Sequence, residues 1–213
     1  MNKKSKQNME IRTLPIEELR INTIEEKRYI EGHAAVFDSW SETLGGMFPF
    51  REKVNRGAFG ESLEKDDIRA LFNHDANFVL GRNRAGTLEL REDEKGLYVK
   101  IIPPDTQTAR DLITSIERGD INQMSFGFSV EEEKWNTENG VDVRELRKVK
   151  LFDVSPVTFP AYPSTDVGLR AMESYENYRA EVRSLQEQEE NEKLKVIKEK
   201  QKLAYLQNKF RAM

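Results

Sequence analysis

The amino-acid sequence predicts an α+β fold: a mainly antiparallel β-barrel, closed or nearly closed, with a few packed helices and a C-terminal amphipathic helix. Three observations lead there. Many short segments alternate apolar and polar residues and are parted by Gly, Pro or Asn-Gly turns, the pattern of half-buried strands. Within that region one longer stretch, Thr106 to Arg118, has helical spacing. After Arg170 glycine and proline vanish, and Lys and Glu take over. The chain therefore divides into a flexible N-terminal segment (1–17), a β-barrel domain (18–171) and a helical tail (172–213).

In chain order, Leu19 and Ile21, then Tyr29-Ile30 and Ala34 to Phe37, read as short strands, the latter opened by Gly32. Asp38 to Gly46 is turn chemistry and reads as a loop. Phe48 to Val54 reads as a strand, Asn55-Arg56-Gly57 as a turn and Ala58 to Leu63 as a short helix. From Asp67 onward Ile68, Ala70, Phe72 and His74 share one parity, which places His74 at the end of an apolar strand face. Gly81 to Gly86 is a basic turn. Thr87–Arg91 and Leu97–Ile102 form a hairpin through Glu92 to Gly96. The helix after it puts Ala109, Leu112, Ile113 and Ile116 on one face, with Thr106 as cap and Gly119 as stop. The strand Ile121–Val130 follows, then an acidic hairpin turning at Asn139-Gly140. Val149, Leu151, Asp153 and Ser155 then share a strand face that ends at Pro156.

The tail carries a three-four heptad at Tyr175, Tyr178, Val182, Leu185, Glu189, Glu192, Val196, Glu199, Leu203, Leu206, Phe210 and Met213. Such a helix can pair with another, although the three glutamates weaken the middle of its seam.

Composition narrows the chemistry. The chain has 213 residues, enough to bury a core, and a net charge of −4, which gives no reason to expect a nucleic-acid partner. With no cysteine, disulfides, thiolate nucleophiles and Cys-based zinc sites are excluded. Two histidines, His33 and His74, are too few for a His-rich metal site. No metal or cofactor is expected. The basic start has no apolar run behind it, and no stretch approaches the roughly 18 apolar residues of a membrane span. A soluble, intracellular protein is expected.

The stretch Ile121–Val130 organises the rest. Met124, Phe126, Phe128 and Val130 point to one side and are bulky; Ser125, Gly127 and Ser129 point to the other and are small. That emptied face suits a floor over which another backbone lies, with Ser125 exposed in a groove. A serine hydroxyl attacks a carbonyl only when a base takes its proton, and histidine is the natural base. His74, between Asn73 and Asp75, is the better of the two. Asp153, a carboxylate on a face shared with Val149 and Leu151, needs a partner, and an imidazole N–H supplies one. Read singly, each has a plainer role: Ser125 a polar strand position, His74 a polar strand terminus, Asp153 a turn cap.

Taken together, several segments resemble one known family. These are Gly32 to Asp38, Gly57-Ala58-Phe59, Leu71-Phe72-Asn73-His74-Asp75 and Val79-Leu80-Gly81-Arg82. They are followed in order by Arg118 to Ile121, Met124-Ser125-Phe126-Gly127-Phe128 and Val154 to Pro163. From about Tyr29 to Arg170 the chain resembles the prohead (procapsid maturation) proteases of tailed bacteriophages, which are distantly similar to the herpesvirus assemblins, serine proteases on a seven-stranded barrel. The resemblance implies a herpesvirus-protease-like barrel, His74 as base and Ser125 as nucleophile. Assemblins use a second histidine as third member; this chain has none after His74, and Asp153 takes that place. It also implies a serine endopeptidase in the host bacterial cytoplasm, packaged in the immature procapsid. There it cuts the scaffolding region of the major capsid protein, and itself. Oxyanion donors are expected from backbone N–H groups near Gly127 or in the 156–163 turn. The tail pairs with a scaffold helix of the capsid protein; packing on its own domain or forming a homodimer is the alternative. The rival reading is a non-catalytic assembly protein with a degenerate protease domain. Neither a nucleic-acid nor a membrane partner is expected.

Overall fold

In a computed structural model of the chain, described for residues 9–13, 18–46, 48–159 and 169–211, two sheets enclose one core. The elements run β1 (Glu10–Thr13), β2 (Arg20–Ile24), β3 (Lys27–Val36), β4 (Phe50–Val54), α1 (Gly60–Lys65), β5 (Arg69–Phe72), β6 (Asp75–Arg82) and a 3₁₀ turn (Asn83–Ala85). They continue with β7 (Leu88–Glu92), β8 (Gly96–Ile101), α2 (Gln107–Glu117), β9 (Gln123–Glu138), β10 (Val141–Val157) and α3 (Leu169–Arg211). The chain falls into two compact units, 1–170 and 171–213.

The larger sheet is ordered β1-β9-β10-β5-β6, with β4 also paired to β10; the smaller is β2-β3-β8-β7. The architecture is mixed α+β. The sheets are joined at a corner, where Phe37 bridges Val54 and the Asp38 N–H donates to the Val54 carbonyl at 2.9 Å. Closure of all the strands into one barrel is not traced among the described residues. Apart from the parallel Phe37–Val54 bridge, pairing is antiparallel except along β10, whose second edge takes β4 at 142–146 and β5 at 153–154, both parallel. The gap between them is filled by the chain around α1: the Leu151 N–H donates to Ser62 Oγ at 2.8 Å and the Val149 N–H to the Ala58 carbonyl at 3.0 Å.

β9 and β10 are one long hairpin. Its turn, Asn139-Gly140, has positive φ at both residues (52° and 80°), the geometry that matches the twist of flanking strands. On β9 the bulky face is the core face: Met124, Phe126, Phe128 and Val130 are all buried, and Phe126 stacks on Phe128 at 4.9 Å and meets Phe59 edge-on at 5.5 Å. Burying each such side chain is worth about 1.5–3 kcal/mol. Against this core α2 lays Ala109, Leu112, Ile113 and Ile116, and Thr106 Oγ1 accepts from the Ala109 N–H, as the sequence predicts.

Three expectations are revised. Glu10–Thr13, expected to be loosely ordered, forms β1 and pairs with β9 through Thr13↔Ser125, Arg12↔Phe126, Ile11↔Gly127 and Glu10↔Phe128. Tyr29–Ile30 and Ala34–Val36 belong to one strand, with Gly32 in its interior rather than at a strand start; a Cβ there would press on the Glu18 carbonyl at 3.3 Å. His74 does not continue the β5 face; β5 ends at Phe72, and Asn73-His74 is a two-residue turn into β6. In the second unit α3 is a helix of 43 residues, with Leu185, Leu194, Val196 and Ile197 exposed. The heptad side chains from Leu203 onward lie outside the described residues.

Candidate active site

Three adjacent parts of the larger sheet converge. Ser125 lies on β9, Asp153 and Ser155 lie on β10, and His74 follows β5 on the far side of β10. In the β9–β10 register Ser155 faces Ser125 and Asp153 faces Gly127, so all four share one face of the sheet. The bulky core face and the small site face of β9 are thus two consequences of one alternation.

His74 reaches that face because of its turn. Asn73 and His74 have φ of 53° and 56°, left-handed values that few non-glycine residues adopt, asparagine and histidine more often than most. A non-glycine residue held there costs on the order of 1–3 kcal/mol and persists only when its surroundings fix it. Here the Asn73 N–H donates to the Pro156 carbonyl at 3.0 Å, Asn73 Nδ2 donates to Thr158 Oγ1 at 3.1 Å, and the Thr158 N–H donates to Asn73 Oδ1 at 2.8 Å. The turn is tied to the end of β10, the strand that carries Asp153.

The side-chain geometry is that of a charge-oriented nucleophile. His74 Nδ1 lies 2.6 Å from Asp153 Oδ1 and Nε2 lies 2.8 Å from Ser125 Oγ. A carboxylate only accepts, so Nδ1 carries the proton and Nε2 faces the hydroxyl with its lone pair. Ser155 Oγ donates to Asp153 Oδ1 at 2.8 Å and accepts from the His74 N–H at 3.3 Å, linking carboxylate to turn. Gly127 leaves room for the carboxylate, since a Cβ there would come inside 3.0 Å of Asp153 Oδ2. The arrangement can move the Ser125 proton to imidazole and stabilise the imidazolium that results.

A profile of the caudovirus prohead serine proteases matches residues 17–180. The chain belongs to that family. It is 30% identical over 171 residues to the prohead protease of Enterobacteria phage HK97, covering 77% of this chain and 69% of that one. It also has a slight likeness, with TM-score 0.45 and 14% identity, to the capsid assembly protease gp21 of bacteriophage T4, over 72% of this chain and 98% of that chain. This family member is a serine protease of phage capsid maturation. Among its described residues no cluster of His, Asp and Glu could hold a metal ion, and no helix is long and apolar enough to cross a membrane.

Of the expected site residues the fold brings Ser125, His74 and Asp153 together. His33 is held elsewhere, between Glu18 (Nδ1 at 3.2 Å) and Asp93 (Nε2 at 3.0 Å). Residues 160–163 of the turn considered for oxyanion donors lie outside the described residues. Sequence reasoning missed Ser155 and Asn73. Ser155 shares the parity of Asp153 two residues on, and that was the available signal; Asn73 before a turn-forming histidine was another.

The expectation of an exposed Ser125 is also revised. Ser125 has 0% exposure and Asp153 4%. The cover is β1: Ser125 Oγ lies 2.9 Å from the Arg12 carbonyl oxygen, and a Cβ on Gly127 would touch Met9 Cε at 3.0 Å. β1 is anchored on the core side of the sheet by charge. Arg12 Nε donates to Glu52 Oε1 at 2.8 Å and Nη2 to Glu10 Oε2 at 2.7 Å. Arg144, 0% exposed, donates to Glu10 Oε2 at 2.9 Å, to Glu52 Oε2 at 2.8 Å and to Glu133 Oε2 at 2.6 Å. Burial opposes the Glu10 charge, but Arg144 and Arg12 outweigh it and hold its carboxyl below its ordinary value.

Proposed function

We propose that this protein is the endopeptidase that cuts the scaffolding region of its phage's major capsid protein within the immature shell, with Ser125 as nucleophile, His74 as base and Asp153 as orienter. The observation that carries the assignment is the unbroken relay from Ser125 Oγ through His74 to Asp153, at 2.8 and 2.6 Å. Ser125 Oγ attacks the scissile carbonyl as Nε2 takes its proton. The imidazolium formed is stabilised by Asp153 and then protonates the leaving amine. Water repeats the sequence on the acyl-enzyme and restores Ser125. Ser155 and Asn73 position the acid and the base without touching substrate.

The tail is proposed to carry the enzyme into the assembling shell. Fully helical, its residues 172–213 span about 60 Å at 1.5 Å per residue. Its exposed Leu185 and Val196, both positions of the heptad, suit a helical partner from the scaffold. Self-cleavage belongs to the same reading. The junction at 170–174 lies in the first turns of α3, so a cut there requires that those turns unwind into an extended chain.

The test is co-expression with the cognate capsid protein. Wild type should trim that protein, and Ser125→Ala should fold yet fail to trim it, with a loss of several powers of ten in rate. Trimming at the wild-type rate by the alanine variant would overturn the assignment.

A further inference from the structure

We propose that β1 lies where the substrate strand lies, and that its Glu10-Ile11-Arg12 marks the side chains the enzyme selects. A basic residue supplies the carbonyl at Ser125, and an acidic residue sits two positions before it. The inference rests on Ser125 being the nucleophile.

β9 has two edges. β10 takes one along almost its full length, and β1 takes the other at residues 125–128. An extended peptide that reaches Ser125 by adding a strand has only that second edge to use. β1 therefore takes the edge a substrate would take, antiparallel and in register with Ser125-Phe126-Gly127-Phe128. Its Arg12 carbonyl is the acceptor found at Ser125 Oγ. One hydroxyl proton faces two acceptors there, the Arg12 carbonyl at 2.9 Å and His74 Nε2 at 2.8 Å. A proton given to the carbonyl is withheld from the base, so β1 both covers the nucleophile and quiets it.

The side chains of β1 show what the groove reads. Arg12 and Glu10 pair in register with Phe126 and Phe128, on the core face, where they meet Glu52 and Arg144. Glu52 and Arg144 also bond each other, so the groove keeps its shape when β1 leaves. What then remains is Glu52, whose Oε1 has lost the Arg12 guanidinium, beside Arg144, which has lost Glu10. The Glu52 carboxylate favours a cationic side chain in the place of Arg12. Arg144 is left to take an acidic residue in the place of Glu10.

The test compares the full-length wild type with Glu10→Ala/Arg12→Ala, which loosens β1 by removing its ionic anchors. Labelling by a small fluorophosphonate reports access to Ser125. Two fluorogenic amides, acetyl-Glu-Ile-Arg and acetyl-Arg-Ile-Glu, report selection. The double variant should label at least about tenfold faster than wild type and prefer the Glu-Ile-Arg amide by about tenfold or more, as expected for charge-assisted hydrogen bonds. Adding Glu52→Gln should remove most of that preference. Equal labelling of the two proteins, no preference for the arginine amide, or a preference indifferent to Glu52 would each overturn the proposal. So would loss of cooperative thermal unfolding in the double variant, which would make β1 a structural strand. If neither protein labels while both stay folded, the nucleophile assignment fails first. If wild type trims capsid protein but the double variant labels no faster, this inference alone fails.

Discussion

Replacing Gly127 by alanine probes the site through a residue that does no chemistry. Its φ is not in the left-handed range, so the backbone accepts a side chain, and the difficulty is space. The new Cβ would come inside 3.0 Å of Asp153 Oδ2, and the carboxylate must withdraw by about 1 Å to reach ordinary contact at 3.4 Å. It is pinned by His74 at 2.6 Å and Ser155 at 2.8 Å, so withdrawal stretches or breaks the bond that orients the imidazole. A misplacement of about 1 Å costs roughly 10²-fold in rate. Complete loss of the orienting carboxylate sets an upper bound of about 10⁴-fold. Overpacking should also cost about 1–3 kcal/mol of stability. The assay is kcat and KM on a peptide together with thermal unfolding, because lost orientation lowers kcat at similar KM. The double variant Gly127→Ala/Asp153→Ala separates the two effects: it should regain stability, since the carboxylate clash is gone and the flexible end of Met9, at 3.0 Å, can give way, and remain slow. Gly127→Ala with wild-type kcat would refute the reasoning, as would a double variant less stable than both single variants.

His33→Gln should retain nearly full activity, because its ring is engaged by Glu18 and Asp93; an inactive but folded variant would mean that the base is misassigned. Asp153→Asn should lower kcat by up to about 10⁴-fold through the wrong imidazole tautomer, and wild-type rates across pH 6 to 9 would place the third member elsewhere. Glu10 is held below its ordinary 4.5, so its contribution to docking β1 is complete above that value and is lost as pH falls through the lowered one. Melting temperature should therefore be sensitive to Glu10→Gln above about pH 5 and progressively less so as pH falls further below 4.5; the reverse order would contradict the direction of the shift.

The parts of the site that could be read from sequence are those written in local alternation. Ser125 and Gly127 stand opposite Phe126 and Phe128 within one strand. The shared face expected for Val149, Leu151, Asp153 and Ser155 is corrected: Leu151 pairs with Phe128 on the core side, and a register shift after it puts Asp153 opposite Gly127 on the site side. What could not be read depends on distant partners. Glu10-Ile11-Arg12-Thr13 has an unremarkable composition, and it becomes a strand because Arg12 finds Glu52 forty residues on and Glu10 finds Arg144 134 residues on. No window of sequence contains that pairing. β6 was missed because its Phe78 and Val79 are exposed, which erases the alternation that marks a half-buried strand. Apolar parity runs up to His74 and predicts a strand face for it; two left-handed residues in succession, fixed by Thr158 beyond β10, break that parity.

The central place of β10 also governs when this enzyme can become dangerous to its neighbours. β10 is the last strand described in the chain, and β9, β4 and β5 all pair with it. While the ribosome is still between Ser125 and Asp153, β9 lacks its long partner and His74 lacks a carboxylate. At about 5–20 residues per second that interval lasts roughly one to six seconds. Ser125, His74 and Asp153 are thus synthesised well apart and are joined only after the whole β region has emerged. By then β1, made first of all, is already present to close over Ser125. Order of translation gives this protease a built-in delay, and its chain emerges already carrying its own cover.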